Sequence, residues 1–281
     1  MKENIELNKT REFGDVISDT FVIIRQNFKP LFKAYIAICG LFLLTSTLLT
    51  IMSNFQHTAE GEYSAFSFWG IAKFLFQQVN YTALVLTAIS YMAVYQQKQN
   101  QPPSTLEVWA YFKYYFFRVL GTQILLSIAL VIAFFFCFFP SVYLTPIFGL
   151  VAPIMIIENG SAEYAIRKSF SIIKENWWFT FGVILLMSII VLMAVLALFI
   201  PAMIFYGGSQ WLTGTYYNNT YAIVEAIIEH VCQFLWLLPV ISITLVYFSL
   251  TEHKEANNLV NRIKSFGKND SAADQFSTEQ Y

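Results

Sequence analysis

Charge is scarce in this chain. Only 12% of its 281 residues are Asp, Glu, Lys or Arg, whereas 57% are hydrophobic and 28 are Phe. An ordinary soluble domain carries about twice that share of charge. A soluble core of this size has no room for so much apolar surface, so part of the solvent must be hydrocarbon. Cysteine is nearly missing too. Cys39, Cys137 and Cys232 fall in apolar runs far apart, which excludes metal-ligand spacing, argues against a disulfide framework and leaves them as small buried hydrophobes. No phosphate loop, His-x-x-x-His pair, nucleophile elbow or Cys-x-x-Cys occurs. A cleavable signal pattern is also lacking. The first 29 residues mix charged and apolar positions, and the run that starts near Leu31 is expected to act as an uncleaved anchor.

What the chain does hold is apolar runs of bilayer length. About 20 apolar residues cross about 30 Å of hydrocarbon, and the candidates are 31–53, 71–96, 119–139, 142–157, 178–204 and 223–250. The second contains Lys73, Gln77, Gln78 and Asn80, so its first turns are expected at an interface. The stretch from Leu120 to Ile157 is too long for one crossing. Pro140 and Pro146 are expected to turn it into a tight hairpin, with a re-entrant pair as the alternative. The expected fold is therefore all-α: a polytopic membrane protein with six transmembrane helices in one integral domain over 1–252. The polar tail, 253–281, is expected to be mostly disordered after a short helical continuation.

Orientation follows from where the cations are. The connectors 54–70, 140–141 and 205–222 hold no Lys or Arg, and Lys73 is the one exception among 17 basic residues that otherwise gather on the opposite side. The positive-inside rule puts both termini in the cytoplasm.

Three segments on that side, about 10–29, 104–118 and 161–177, have the pattern of amphipathic helices. Phe13, Val16, Ile17, Phe21, Ile24 and Phe28 recur at steps of three and four, as do Ala162, Ala165, Ile166, Phe170, Ile173 and Trp177. The middle segment starts at Ser104 with Glu107 three residues on, a capping box ahead of Trp109, Phe112 and Phe116. Each is expected to lie in the inner interface. There Arg25, Lys29, Arg167, Lys168 and Lys174 would reach the headgroups of membrane lipids, anionic ones first. TFVIIRQNFKPLF (20–32) also echoes SFSIIKENWWFTF (169–181), pairing Phe21 with Phe170, Ile24 with Ile173 and Asn27 with Asn176. The echo predicts an Asn-aromatic corner where a flat helix turns into a span, broken further by Pro30 in the first copy. Convergence of similar amphipathic helices is the alternative to a true repeat.

Chemistry-bearing candidates are few. Glu225, Glu229 and His230 cluster at the outer start of the sixth run. They are open to a metal or proton site, against the plainer reading of acids at a helix N-terminus. Glu158, five residues after Pro153, is expected to anchor structure by accepting from the next helix's amides or pairing with Arg167 or Lys168. A lone carboxylate lacks the partner that acid–base catalysis needs. Gln77, Gln78, Asn80, Gln123 and Gln233 fit either a polar route or bonds between helices. Asn80-Tyr81-Thr82 and Asn218-Asn219-Thr220 match the glycosylation triplet.

Two elements carry a resemblance: REFGDVISDTFVIIRQNFKPLF near the start, and P-x-x-x-x-E-x-x-S-x-x-x-A-x-x-x-S over Pro153, Glu158, Ser161, Ala165 and Ser169. Over roughly residues 10–250 the chain resembles the six-span membrane domain attached to some bacterial glycerophosphodiester phosphodiesterases, and its stand-alone relatives. The resemblance implies six spans and a bacterial inner membrane. The enzymes of that family carry a separate catalytic barrel of about 250 residues; none remain here once the spans are placed, so no catalytic residue carries over. Three functions stand in order. The first is a non-enzymatic inner-membrane protein that organises lipid or a membrane-protein partner through its inner-face helices. The second is a transporter or lipid-handling protein lined by the buried amides. The third is a membrane enzyme using Glu225, Glu229 and His230. No cofactor and no nucleic-acid partner is expected.

Overall fold

Pro30 does not stop the first helix. In the computed structural model, which describes residues 6–60, 67–136, 138–213 and 219–273, α1 runs unbroken over Phe13–Glu60 with Pro30 inside it. The expected corner at Asn27 and Pro30 is therefore corrected. Asn27 is buried, donates Nδ2 to the Ile23 carbonyl and accepts from the Tyr91 hydroxyl, so its polar atoms are satisfied within helical geometry. A proline removes one amide and bends a helix; continued packing on both sides keeps it helical. The middle segment is corrected in the same way. Residues 104–118 do not form a separate helix but open α3, Thr105–Phe136. Its start is the expected capping box: Glu107 Oε2 accepts from the Ser104 amide at 2.7 Å, and Ser104 Oγ from the Glu107 amide at 3.4 Å.

Between these lies α2, Phe68–Gln97, capped by Ser67. After α3 come α4 (Phe138–Gly149) and α5 (Val151–Ile157). Pro140 and Pro146 sit inside α4, so they do not supply the expected turn. The boundary between α3 and α4 falls between Phe136 and Phe138, and a separate break inside the next apolar segment falls at Leu150, where Pro153 offers no amide to the Gly149 carbonyl four residues back. Next are α6 (Ala162–Ile173) and α7 (Trp177–Thr213). Here the expected corner does exist. The Asn176 amide closes a turn onto Ile173 O, and its carbonyl takes the first helical bond of α7 from the Thr180 amide. The chain finishes with α8 (Asn219–Cys232), a 3₁₀ turn over Gln233–Trp236, and α9 (Leu237–Ala273). The tail is thus helical to Ala273 rather than largely disordered from 253; residues 274–281 and Cys137 lie outside the described residues.

Among the described residues, five helical segments are long and apolar enough to cross a membrane: Phe13–Gln56, Thr105–Phe136, Phe138–Ile157, Trp177–Ile204 and Ala222–Lys254. Together with the absence of strands among those residues, they make this an all-helical membrane protein. The run at 71–96 does not meet that measure, and its place in the fold says why. Every residue of α2 from Thr82 to Tyr95 is buried, and α1, α3, α5 and α9 pack around it. A helix sheathed by protein can be less apolar than one that faces lipid, and Thr82, Thr87 and Ser90 are among the polar residues that make this run so. The outer helices show the converse, with Phe135 83% and Phe136 87% exposed at the end of α3. The core joins α2 to the stretch Pro239–Leu250 of α9, which is also buried throughout.

Candidate functional site

Two clusters of polar side chains stand at opposite ends of the bundle. At the α5–α6 end, Glu158 accepts from Tyr164 Oη and Lys168 Nζ, both at 2.7 Å, and from Tyr247 Oη at 2.5 Å. The expected anchor is therefore real, and its cation is Lys168; Arg167 pairs instead with Glu163, at 2.6 Å. Burial opposes charge on Glu158, but the bonds from Lys168, Tyr247 and Tyr164 outweigh it and hold the carboxyl below the usual range. Burial likewise works against the Lys168 cation, and Glu158 and Tyr164 overcome it, leaving Lys168 above its ordinary value. The motif around this knot is legible residue by residue. Asn159 takes a positive φ of 50°, and Ser161 caps α6 through the Tyr164 amide. Ala165 and Ser169, at steps of four from Ser161, are fully buried. Arg118 of α3 reaches over to Asn159 Oδ1 and the Gly160 carbonyl. Of the remaining interface cations, Arg25, Lys29 and Lys174 are exposed.

A second knot fixes the N-terminal segment. The Arg11 guanidinium, with no exposed side-chain surface, binds Asp19 Oδ2 at 2.9 Å and the Leu7 carbonyl at 2.6 Å. Its backbone amide donates to Ser249 Oγ of α9.

At the other end, Glu225, Glu229 and His230 do not converge. Glu225 receives Asn54 Nδ2 at 3.4 Å, while Glu229 takes Gln77 Nε2 at 3.1 Å and stands 3.7 Å from Lys73 Nζ. His230 is buried between the Ala226 carbonyl, 2.8 Å from Nδ1, and Ser46 Oγ, 2.9 Å from Nε2. A carbonyl only accepts, so Nδ1 carries a proton. No group of three metal-ligating side chains forms among the described residues.

What these residues border is a cavity of about 530 Å³, lined by Gln77, Gln78, Tyr81, Gln123, Ser127, Glu229, His230, Gln233 and Trp236 among others. Four of the five amides singled out in the sequence line it; Asn80 is buried behind it and donates to Gln233 Oε1 at 2.7 Å. That burial also removes Asn80 as a glycan acceptor; the second triplet begins at Asn218, outside the described residues. Tyr81, Gln123, Ser127 and Trp236 line a second cavity as well, of about 320 Å³, whose other walls are mainly apolar, with Val85, Ile89, Leu126, Phe148, Ile184 and Ile243 beside Thr145 and Ser188. The two cavities share the first four of these residues as a common wall, and the first cavity has more amide side chains in its lining. Both meet the 3₁₀ turn between α8 and α9.

Pro239 explains that turn. It is the third residue of α9, where an amide has no partner within the helix, and its ring excludes the carbonyl of residue 235 from an α-helical bond. The chain tightens, and the Leu237 amide turns to Leu235 O and Phe234 O. Pro239 lines the apolar chamber, as does Gly149 before the Pro153 break. Tyr81, Ser127, Trp236 and Pro239 were not apparent as site residues from the sequence alone. The one local signal was a proline within an apolar run, in QFLWLLPV.

No protein-family model, curated protein or solved structure matches the chain.

Proposed function

We propose that the chain is a non-enzymatic bacterial inner-membrane protein that holds a membrane amphiphile across these two cavities, a lipid-handling protein rather than a catalyst. The observation that carries the reading is the wall the two cavities share. Four residues border both, with most of the amides around the first and mainly apolar side chains around the second, an arrangement that suits a polar head joined to a hydrocarbon chain. In this reading α2 is the sixth crossing, shielded by its neighbours, and both termini are cytoplasmic because the basic residues gather on their side. The chain is then a relative of the six-span membrane domains named above.

Mass spectrometry of the protein extracted with its native lipids tests the reading. Wild type is expected to retain an amphiphile. Gly149→Leu or Ile184→Trp, which fill the apolar chamber, should lower that retention at least about tenfold with helicity unchanged; undiminished retention in both variants overturns the proposal. Topology is tested separately with a membrane-impermeant thiol reagent on intact cells. Ser64→Cys is expected to label and Gln101→Cys to stay protected, and the reverse pattern overturns the orientation.

A second reading rests on the face of α6 turned away from the core. Phe170 and Tyr164 are exposed there beside Arg167 and Lys174, with Trp178 following at 79% exposure. Aromatic and basic side chains on one exposed face suit a surface that gathers anionic headgroups or a membrane-protein partner at the cytoplasmic leaflet.

A further inference from the structure

Anions are poorly served at the end of the bundle that holds the amide-lined cavity. Among the described residues, the charged side chains at that end are Glu225, which receives Asn54, and Glu229, which stands beside Lys73. No lysine or arginine among the described residues lines either chamber. Lys73 itself is turned to Glu229, at 3.7 Å. A charge-assisted hydrogen bond would be nearer about 2.8 Å, so the carboxylate keeps lone pairs for another donor. Gln78 and Gln123 have side-chain amides with no hydrogen bond among the described residues, and the rings of Tyr81 and Trp236 border the same space.

Taking the amphiphile reading as given, we infer that the polar chamber selects a zwitterionic head with a protonated amine, and disfavours a head of net negative charge. The ammonium N–H groups bind the Glu229 carboxylate beside the aromatic rings, and the amide N–H groups of Gln78 and Gln123 bind the phosphate oxygens. An anionic head would meet the Glu229 carboxylate and give up water, with no described lysine or arginine in the lining to replace it. A head whose nitrogen is fully methylated keeps the charge but loses the N–H donors.

Native mass spectrometry of the detergent-solubilised full chain, with lysophospholipids of one acyl chain and different heads, tests this. The ethanolamine head is expected to bind at least about tenfold more tightly than the glycerol head, with choline between them. Glu229→Gln should erase that preference, and Gln123→Leu, which removes an amide that holds nothing else in place, should weaken all the phosphate-bearing heads alike. A glycerol head bound as well as or better than ethanolamine overturns the head selectivity and leaves the two cavities as an amphiphile site. Binding of no head at all, with Gly149→Leu indistinguishable from wild type, overturns the amphiphile reading itself.

Discussion

Glu158 and Glu229 each sit near a helix end with a lysine for a partner, yet their surroundings differ. Glu158 has Lys168 at 2.7 Å and two tyrosine hydroxyls, one from α6 and one from α9, so its acceptor capacity is spent on joining helices. Glu229 has Lys73 at 3.7 Å and one amide, and it borders a cavity. A carboxylate saturated by its own protein is a rivet, whereas one left half-satisfied beside open space is available to a ligand. The same contrast separates the two faces of the molecule: many exposed cations on one side, and acids against a single lysine on the other.

Truncating each carboxylate breaks or sharpens this comparison. Glu158→Ala is expected to destabilise the protein by roughly 2–4 kcal/mol, because it removes a charged acceptor and strands Lys168 and Tyr247 in partly buried positions. Glu229→Gln should cost less than about 1 kcal/mol, as a loosely paired group does. Thermal unfolding in detergent measures both, and equal losses would erase the distinction. A smaller effect is expected with pH. A carboxylate whose folded value is depressed contributes stability above its ordinary value, about 4.3, and loses that contribution as pH falls through the folded value. For Glu158 this gives an acid arm. Lys168 is raised, so its contribution is complete below about 10.4 and is lost as pH climbs through its folded value. Glu158→Gln should flatten both arms, and an unchanged profile would contradict the rivet. Smallest is the exposed capping box, where Lys98 Nζ stands 2.8 Å from the Glu107 carboxylate. Lys98→Met should leave thermal unfolding in detergent almost unchanged.

How far the sequence could be read depended on whether the deciding contact was local. Ser104 with Glu107, and Asn176 at the start of α7, act within a few residues, and each appears in the sequence as a cap or a corner. The echo between 20–32 and 169–181 misleads at Asn27 because its deciding partner, Tyr91, is 64 residues away. The amides were visible as a group, but not that four of them border one space. That arrangement depends on how α2, α3 and the α8–α9 break pack. The apolar chamber had no local signature, since its walls look like any other span. Lys73 illustrates the limit well: as an exception to the charge pattern it stood out in the sequence, but its pairing with Glu229 required the fold.

The unbroken length of α1 has a geometric consequence. At 48 residues it measures roughly 72 Å, more than twice the hydrocarbon thickness. Along that rod, Asn27 meets Tyr91, Ser46 meets His230 and Asn54 meets Glu225. Because nothing interrupts the spiral, the angular bearings of these three contacts are locked to one another. One residue gained or lost between Asn27 and Ser46 would swing the far contacts by about 100°, whereas seven would return them almost to their starting azimuth. The helix thus works as a ruler with a phase as well as a length.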